Sequence, residues 1–136
     1  MQLPAIGETV TPSRGRDLCL HFGYTELADR IDHDPGAFKA FVFDGASMIP
    51  DRFVSQVAKI PHLTEIALRH DLKYAYGEPG NKEERERADA AFKKEVLEDG
   101  AAPFVAEAMY QAVRLFGDPP PPFRTSFSWG FARVNH

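Results

Sequence analysis

Two consecutive stretches of helical periodicity, separated by a short Gly/Pro turn, constrain this chain more than any other feature. From Pro61 to about Tyr76, residues Leu63, Ile66, His70 and Tyr74 recur at i, i+3, i+7 and i+11, which puts them on one helix face. From Asn81 to about Glu98, residues Arg85, Asp89, Phe92 and Val96 share a face in the same way. Gly77 and the Pro79-Gly80 turn stop the first helix, and Asn81 starts the second as the N-cap of a capping box in which Glu84 reaches back. So short a connection makes the two helices antiparallel neighbours. Each therefore carries an ionisable group, His70 or Asp89, at a position where the pattern expects an apolar side chain.

A lone buried carboxylate is costly, so Asp89 requires a partner. Arg85, one turn back, and His70, across the turn, are both within range. A histidine bound by an aspartate through one ring nitrogen presents the other as an acceptor, which is how a base that activates water is oriented. The same pair also serves as a packing device, a core histidine satisfied by a core aspartate. Asp71 lies one step round the helix, towards Phe43 to Pro50, where the backbone near Gly45 can expose its carbonyls. One carboxylate with loop carbonyls and water is a hard-oxygen site suited to calcium. The plain alternative for Asp71 is an exposed charge, or a partner for Lys73 or Arg69.

The rest of the chain punctuates clearly. Residues 1–16 read as irregular or edge structure, and Asp17–Phe22 and Phe38–Phe43 alternate with period two, as strands do. Tyr24–Ile31 fits a helical turn or a wide loop, and Asp34-Pro35-Gly36 is a turn. A short helix is expected from Pro50 to about Lys59, and another from Pro103 to Phe116, stopped by Gly117. Pro119–Pro122 should run extended, and the aromatic stretch Phe123–Val134 should fold back as a strand or packed arm. The expected class is α+β, mainly α: a small N-terminal β-hairpin or sheet followed by a bundle of about four helices, with the antiparallel pair carrying His70 and Asp89. A length of 136 residues gives one domain, divided into a β-rich part (1–45), a helical part (50–117) and a Pro/aromatic tail (118–136).

Composition excludes several functions. A net charge of −4 leaves no electrostatic footprint for nucleic acid, and no stretch is basic enough for a polybasic membrane anchor. The single Cys19 excludes an internal disulfide and a cysteine-based zinc cage. No run of eighteen apolar residues occurs, so no transmembrane segment is expected. The N-terminus has neither the basic nor the apolar region of a signal peptide, which points to a cytoplasmic chain as synthesised.

At His70-Asp71-Leu72-Lys73-Tyr74 and Ala88-Asp89-Ala90-Ala91-Phe92 the chain resembles the phospholipase A2 superfamily, particularly its short forms in parvovirus capsid proteins. Over roughly residues 38 to 117 it is also similar to a small uncharacterised family of bacteria, phages and prophages. Asp44-Gly45-Ala46-Ser47-Met48-Ile49-Pro50 and Ala112-Val113-Arg114-Leu115-Phe116-Gly117 carry that second resemblance. The first resemblance implies that His70 is the general base, Asp89 its orienting acid, and Tyr74 a hydroxyl that holds Asp89. It implies Asp71 as the carboxylate for calcium (Ca2+), together with the 43–48 loop, here Phe43, Asp44 and Gly45. The Gly-rich calcium loop of that superfamily is reduced to Gly45, and Asp44 offers a carboxylate in place of a carbonyl.

The activity so implied is calcium-dependent hydrolysis of lipid esters, with a phospholipid or membrane surface as partner and Ser47 as a loop residue, not a nucleophile. Virion association or non-classical export would then carry the protein to its target. Phe104, Tyr110, Phe116, Phe123, Phe127, Trp129 and Phe131 are candidates for an acyl channel or lipid contact, with core packing as the alternative for each. Trp129 with Phe131 is the strongest candidate for a role beyond packing. Two other readings stand beside this one. A non-catalytic phage or prophage structural or accessory protein would use the His-Asp pair only to lock two helices. A metal-dependent phosphohydrolase would need further ligands, for which His33 and Asp118 are the nearest.

Overall fold

The computed structural model describes residues 1–46, 49 and 51–136. In chain order its elements are β1 (Thr9–Val10), α1 (Pro12–His21), α2 (Thr25–His33), β2 (Phe41–Val42), α3 (Val54–Val57), α4 (Leu63–Ala75), α5 (Lys82–Glu98) and α6 (Pro103–Phe116). Single 3-10 turns at Pro35–Ala37 and Asp51–Phe53 complete them. The mainly helical α+β class is as expected. The sheet is a single antiparallel pair, β1 against β2, with Thr9 opposite Val42 and Val10 opposite Phe41.

The N-terminal third departs from expectation, for Asp17–His21 is helix and not strand. Thr11 Oγ1 caps α1 by accepting the Arg14 N–H (3.2 Å), and Pro12 begins its first turn. The buried residues of α1 are Gly15, Leu18 and Cys19, a helical stripe, whereas Leu20 is exposed. Six alternating residues fit either period, and here the cap decides. Helix α2 occupies the stretch left open between turn and loop, burying Leu27, Ala28 and Ile31. Residues 1–45 are therefore largely helical rather than β-rich.

Helices α4, α5 and α6 agree with the expected boundaries to within a few residues. Asn81 caps α5 as foreseen, its Oδ1 accepting the Glu84 N–H at 3.0 Å. The Glu84 carboxylate does not reach back, however; it grips the Arg30 guanidinium with two bonds of 2.8 Å. Pro50, expected to open the helix before α3, lies outside the described residues.

Two apolar cores meet at α4. Leu68 and Leu72 enter the first, with Leu18, Cys19, Ile31, Phe43 and Tyr76, while Leu63 and Ile66 enter the second, with Phe92, Val96, Val105 and Met109. The tail closes the first core. The proline run turns at its end, where the Phe123 N–H donates to Pro120 O (2.8 Å), instead of continuing extended. Beyond it the chain folds back as a packed arm. The N–H groups of Trp129, Gly130 and Ala132 donate to Gly117 O (2.8 Å), Tyr74 O (2.7 Å) and Ala75 O (3.1 Å).

On its other side the arm takes the Lys39 N–H at Ala132 O (2.7 Å), and Val134 N–H donates to Ala37 O (2.9 Å). Trp129 and Phe131 are both buried core residues, which corrects the expectation of a surface role for this pair. The indole lies against Gly77, where a Cβ would come within 2.3 Å of the ring, and Trp129 Nε1 donates to Glu78 O at 2.7 Å. The turn between α4 and α5 can be tight only because residue 77 has no side chain.

Candidate active site

The antiparallel packing of α4 on α5 brings the two expected ionisable groups together. His70 Nε2 lies 2.8 Å from Asp89 Oδ1, and Tyr74 Oη donates to the same oxygen at 2.8 Å. The other carboxylate oxygen, Oδ2, accepts from Arg114 Nη1 at 2.9 Å and from Arg85 Nη1 at 3.5 Å. Asp89 has no exposed surface. With this many donors, two of them cationic, the hydrogen-bonding needs of the buried carboxylate are met. Arg85 also donates to Tyr74 Oη (3.1 Å) and to Val113 O (3.2 Å), so it fixes the hydroxyl and the end of α6 together. Burial, then the negative charge of Asp89, pushes the Tyr74 hydroxyl far above its usual value and keeps it a donor.

Arg114 is the residue that sequence reasoning missed. It reaches from α6 to Asp89 and places its Nε 3.2 Å from Glu86 Oε2, linking the buried carboxylate to the surface. An arginine in the last turn of a helix is commonplace, since it complements the helix dipole, so the sequence held no signal that this one turns inward.

With Nε2–H donated to Asp89, Nδ1 is the nitrogen of His70 that carries the lone pair. His70 lines a cavity of about 60 Å³, room for more than one water, together with Asp44, Gly45, Asp71 and Tyr74. Ile49, Ala67, Phe92, Met109, Val113, Phe116 and Phe127 make the rest of the lining mainly apolar. On α6, Met109, Ala112, Val113 and Phe116 follow helical spacing and supply one wall. Of the aromatic residues singled out from the sequence, Phe116 and Phe127 line the cavity, while Phe104 and Phe123 are exposed and do not.

Asp71 and Asp44 stand at the polar end of this cavity. Burial, and then the charge of Asp44, holds the Asp71 carboxyl well above the usual carboxylate range. A carboxyl so disfavoured in its charged form beside a second carboxylate is one whose ionised form a cation would relieve. Two carboxylates are hard-oxygen donors of the kind calcium takes, and Gly45 lines the same cavity. Phe43, expected as a further donor, does not join them. Its carbonyl accepts the Gly7 N–H at 2.7 Å, its ring is buried in the first core, and it does not line the cavity. The register of β2 turns it the other way.

The remaining loop positions of the calcium reading, Ser47 and Met48, lie outside the described residues. Among the described residues no group of three or more His, Cys, Asp or Glu side chains is placed to hold a metal ion. His33 and Asp118 are not drawn to the cavity; Asp118 pairs with Arg124 at 3.4 Å, and His33 is exposed at the end of α2. His62 is likewise remote, bonded through Nδ1 to Asp99 Oδ1 at 2.7 Å. Among the described residues no helix is long and apolar enough to cross a membrane.

A family model described as "Protein of unknown function (DUF1353)" matches residues 25–113, which include α4, α5 and nearly all of α6. No curated protein and no solved structure matches the chain.

Proposed function

The chain belongs to that family, and from this premise we propose that it is a calcium-dependent lipid ester hydrolase of the phospholipase A2 type, in which His70 activates the attacking water. The observation that carries the reading is a base oriented by a buried acid at the wall of an apolar cavity, with two further carboxylates at the cavity's polar end. His70 Nδ1 takes a proton from water, and the water oxygen bonds to the ester carbonyl carbon. Asp89 keeps the ring in register and stabilises the imidazolium that forms. His70 then returns the proton to the leaving alkoxide as the ester C–O bond breaks, so no covalent acyl-enzyme is required. Calcium, when bound by Asp71 and Asp44, supplies Lewis-acid polarisation of the carbonyl oxygen.

Tyr74, Arg85 and Arg114 act through Asp89: their hydrogen bonds hold its carboxylate in place. The apolar walls of the cavity suit an acyl chain. Exposed Leu115, Phe116, Phe123 and Phe127 lie in or near its lining segments and give a phospholipid surface something to meet. The test is release of fatty acid from mixed phospholipid vesicles with and without calcium, comparing wild type with His70→Ala. Calcium-dependent turnover that vanishes in a folded His70→Ala protein is expected; an active His70→Ala protein refutes the assignment.

One observation favours a second reading, a phage or prophage structural or accessory protein. Asp89 is so fully satisfied by Tyr74, Arg85, Arg114 and His70 that the cluster also serves as a lock between α4, α5 and α6. Calcium separates the two readings, because a ligand that binds only the native state raises its melting temperature. A purely structural lock shows no such rise.

A further inference from the structure

Asp44 and Asp71, which line the cavity, also line a second groove. This groove, of about 700 Å³, runs between Lys39–Val42 with Asp44 and Asp71 on one side, and Arg124–Phe127 with His136 on the other. Phe127 belongs to both spaces, so the apolar cavity and the groove meet at Asp44, Asp71 and Phe127.

The basic groups of the groove arrive from two distant parts of the sequence. Lys39 precedes β2, and its ammonium makes no ion pair among the described residues. Arg124 comes from the arm, where one end of its guanidinium is anchored by Asp118 Oδ1 and Trp129 O, each at 3.4 Å. Burial first, then Arg124 and Lys39, hold the His136 imidazole below its usual value, while Asp118 opposes them. That response marks the three groups as electrostatic neighbours. Arg124 and His136 both lie beyond the family match at 25–113, so this basic cluster is built partly by the chain's own tail.

The acid pair gives the groove its logic. A divalent cation between Asp44 and Asp71 would offset their two carboxylate charges and leave Lys39 and Arg124 to set the sign of the groove. Arginine with lysine around such a floor matches a phosphate, as guanidinium forks and ammonium groups commonly do. Lys39 and Arg124 both line the groove, whereas neither lines the apolar cavity.

We propose that this groove is a phosphate subsite, in which Arg124 and Lys39 hold the phosphate of an anionic glycerophospholipid whose acyl ester lies across Asp44 and Asp71 beside His70. The inference rests on the hydrolase reading for its lipid part alone; the phosphate contact is tested without turnover. The full-length, 15N-labelled protein, with calcium present, is titrated with glycerol 3-phosphate and followed by amide chemical shifts. Saturable shifts are expected at Lys39, Arg124 and Ser126, weakened about tenfold in Lys39→Gln and in Arg124→Gln, the scale of one charge-assisted contact. Arg124→Gln also frees an anchor of the arm, whereas Lys39→Gln disturbs no ion pair, so the two substitutions together separate loss of phosphate contact from loosening of the tail.

A chelator should weaken the same titration, since the cation that offsets the acid pair is then removed. Fatty acid release is measured in parallel from vesicles of phosphatidylcholine alone and of an equimolar mixture with phosphatidylglycerol. Faster release from the mixture, with the preference lost in Lys39→Gln, is the expected result. No saturable shift, or equal affinity in Lys39→Gln, overturns the subsite. Glycerol 3-phosphate binding without any preference between vesicles overturns the lipid assignment and leaves a site for a free phosphate ester. Binding with no release from either vesicle removes the hydrolase reading and leaves the subsite standing.

Discussion

Replacing Asp89 by Asn keeps the side chain's shape and removes its charge at a point with no exposed surface. The amide has two ways to lie. With its NH2 towards Arg114 and Arg85, it sets donors against donors at 2.9 and 3.5 Å. With its NH2 towards His70 and Tyr74, the imidazole can move its proton from Nε2 to Nδ1 and accept, while Tyr74 Oη turns to Val113 O, already 3.5 Å away. The second arrangement is the cheaper one, and it removes the lone pair from Nδ1, the nitrogen not bonded to residue 89.

The cost to stability follows from what remains. Hydrogen bonds to charged groups contribute about 1.5–3 kcal/mol and neutral ones about 0.5–1.5, so two bonds that lose charge assistance cost roughly 2–3 kcal/mol. Some of the Arg114 share is already screened by water, because its side chain is partly exposed and Glu86 also holds it. At about 2.1 cal/mol/K per residue, a chain of 136 residues has an unfolding entropy of roughly 0.29 kcal/mol/K, so the melting temperature should fall by about 7–10 °C. Circular dichroism melts and urea midpoints measure the loss, and 15N shifts of the imidazole report the tautomer. A loss under about 0.5 kcal/mol, or a His70 ring that keeps Nε2 protonated, refutes the picture of an ionised Asp89 that orients the base.

Two further outcomes are expected. Gly77→Ala places a Cβ about 2.3–2.5 Å from three indole atoms of Trp129, so the ring must move. Overpacking of this kind costs roughly 1–3 kcal/mol, and a red-shifted tryptophan emission with a lower melting point should accompany it; unchanged emission counts against the arm as placed. Asp71→Asn tests the acid pair in metal-free protein. Because burial and Asp44 raise the folded carboxyl above its unfolded value, wild type has the full contribution of this group below about pH 3.9 and loses it as pH rises through the folded value. The Asn variant should therefore be no more stable than wild type in chelator at about pH 3.5, and more stable at about pH 8. Calcium should then raise the melting temperature of wild type alone. Parallel pH profiles would contradict the assignment of a raised Asp71 carboxyl.

The helical half of the molecule was legible because its signals are redundant. Around His70 and Asp89, periodicity, a Gly-Pro-Gly stop and an Asn cap all agree, and a polar residue at an apolar position stands out. Tyr74 shares the face of His70, but its bond to Asp89 was implied only by the resemblance to phospholipase A2, not by periodicity. Helix α1 was not legible. Leu18, Leu20 and Phe22 alternate over too few residues to separate the two periods, and the deciding signal, Thr11 before Pro12, lies where a loop was expected.

Phe43 failed as a metal donor for a geometric reason. Neighbouring residues of an extended chain face opposite ways, and only pairing with the N-terminal segment at Gly7 determines which faces the cavity. The capping box was half right: Asn81 behaves locally, but Glu84 is claimed by Arg30, which lies 54 residues away in the sequence. Long-range capture of that sort leaves no local trace, and the inward turn of Arg114 is another example. Trp129 was misjudged on similar grounds, since proximity to a chain end says nothing of whether that end packs inside.

The seam formed by Gly130 and Ala132 on the last turn of α4 has a consequence for how the protein comes into being. The carbonyls of Tyr74 and Ala75 are among those a helix end leaves open, and here amides synthesised more than fifty residues later satisfy them. During translation the earlier segments emerge first and begin to fold with that helix end bare. The order of synthesis thus leaves these two carbonyls without their partners until the 130–132 stretch has also emerged.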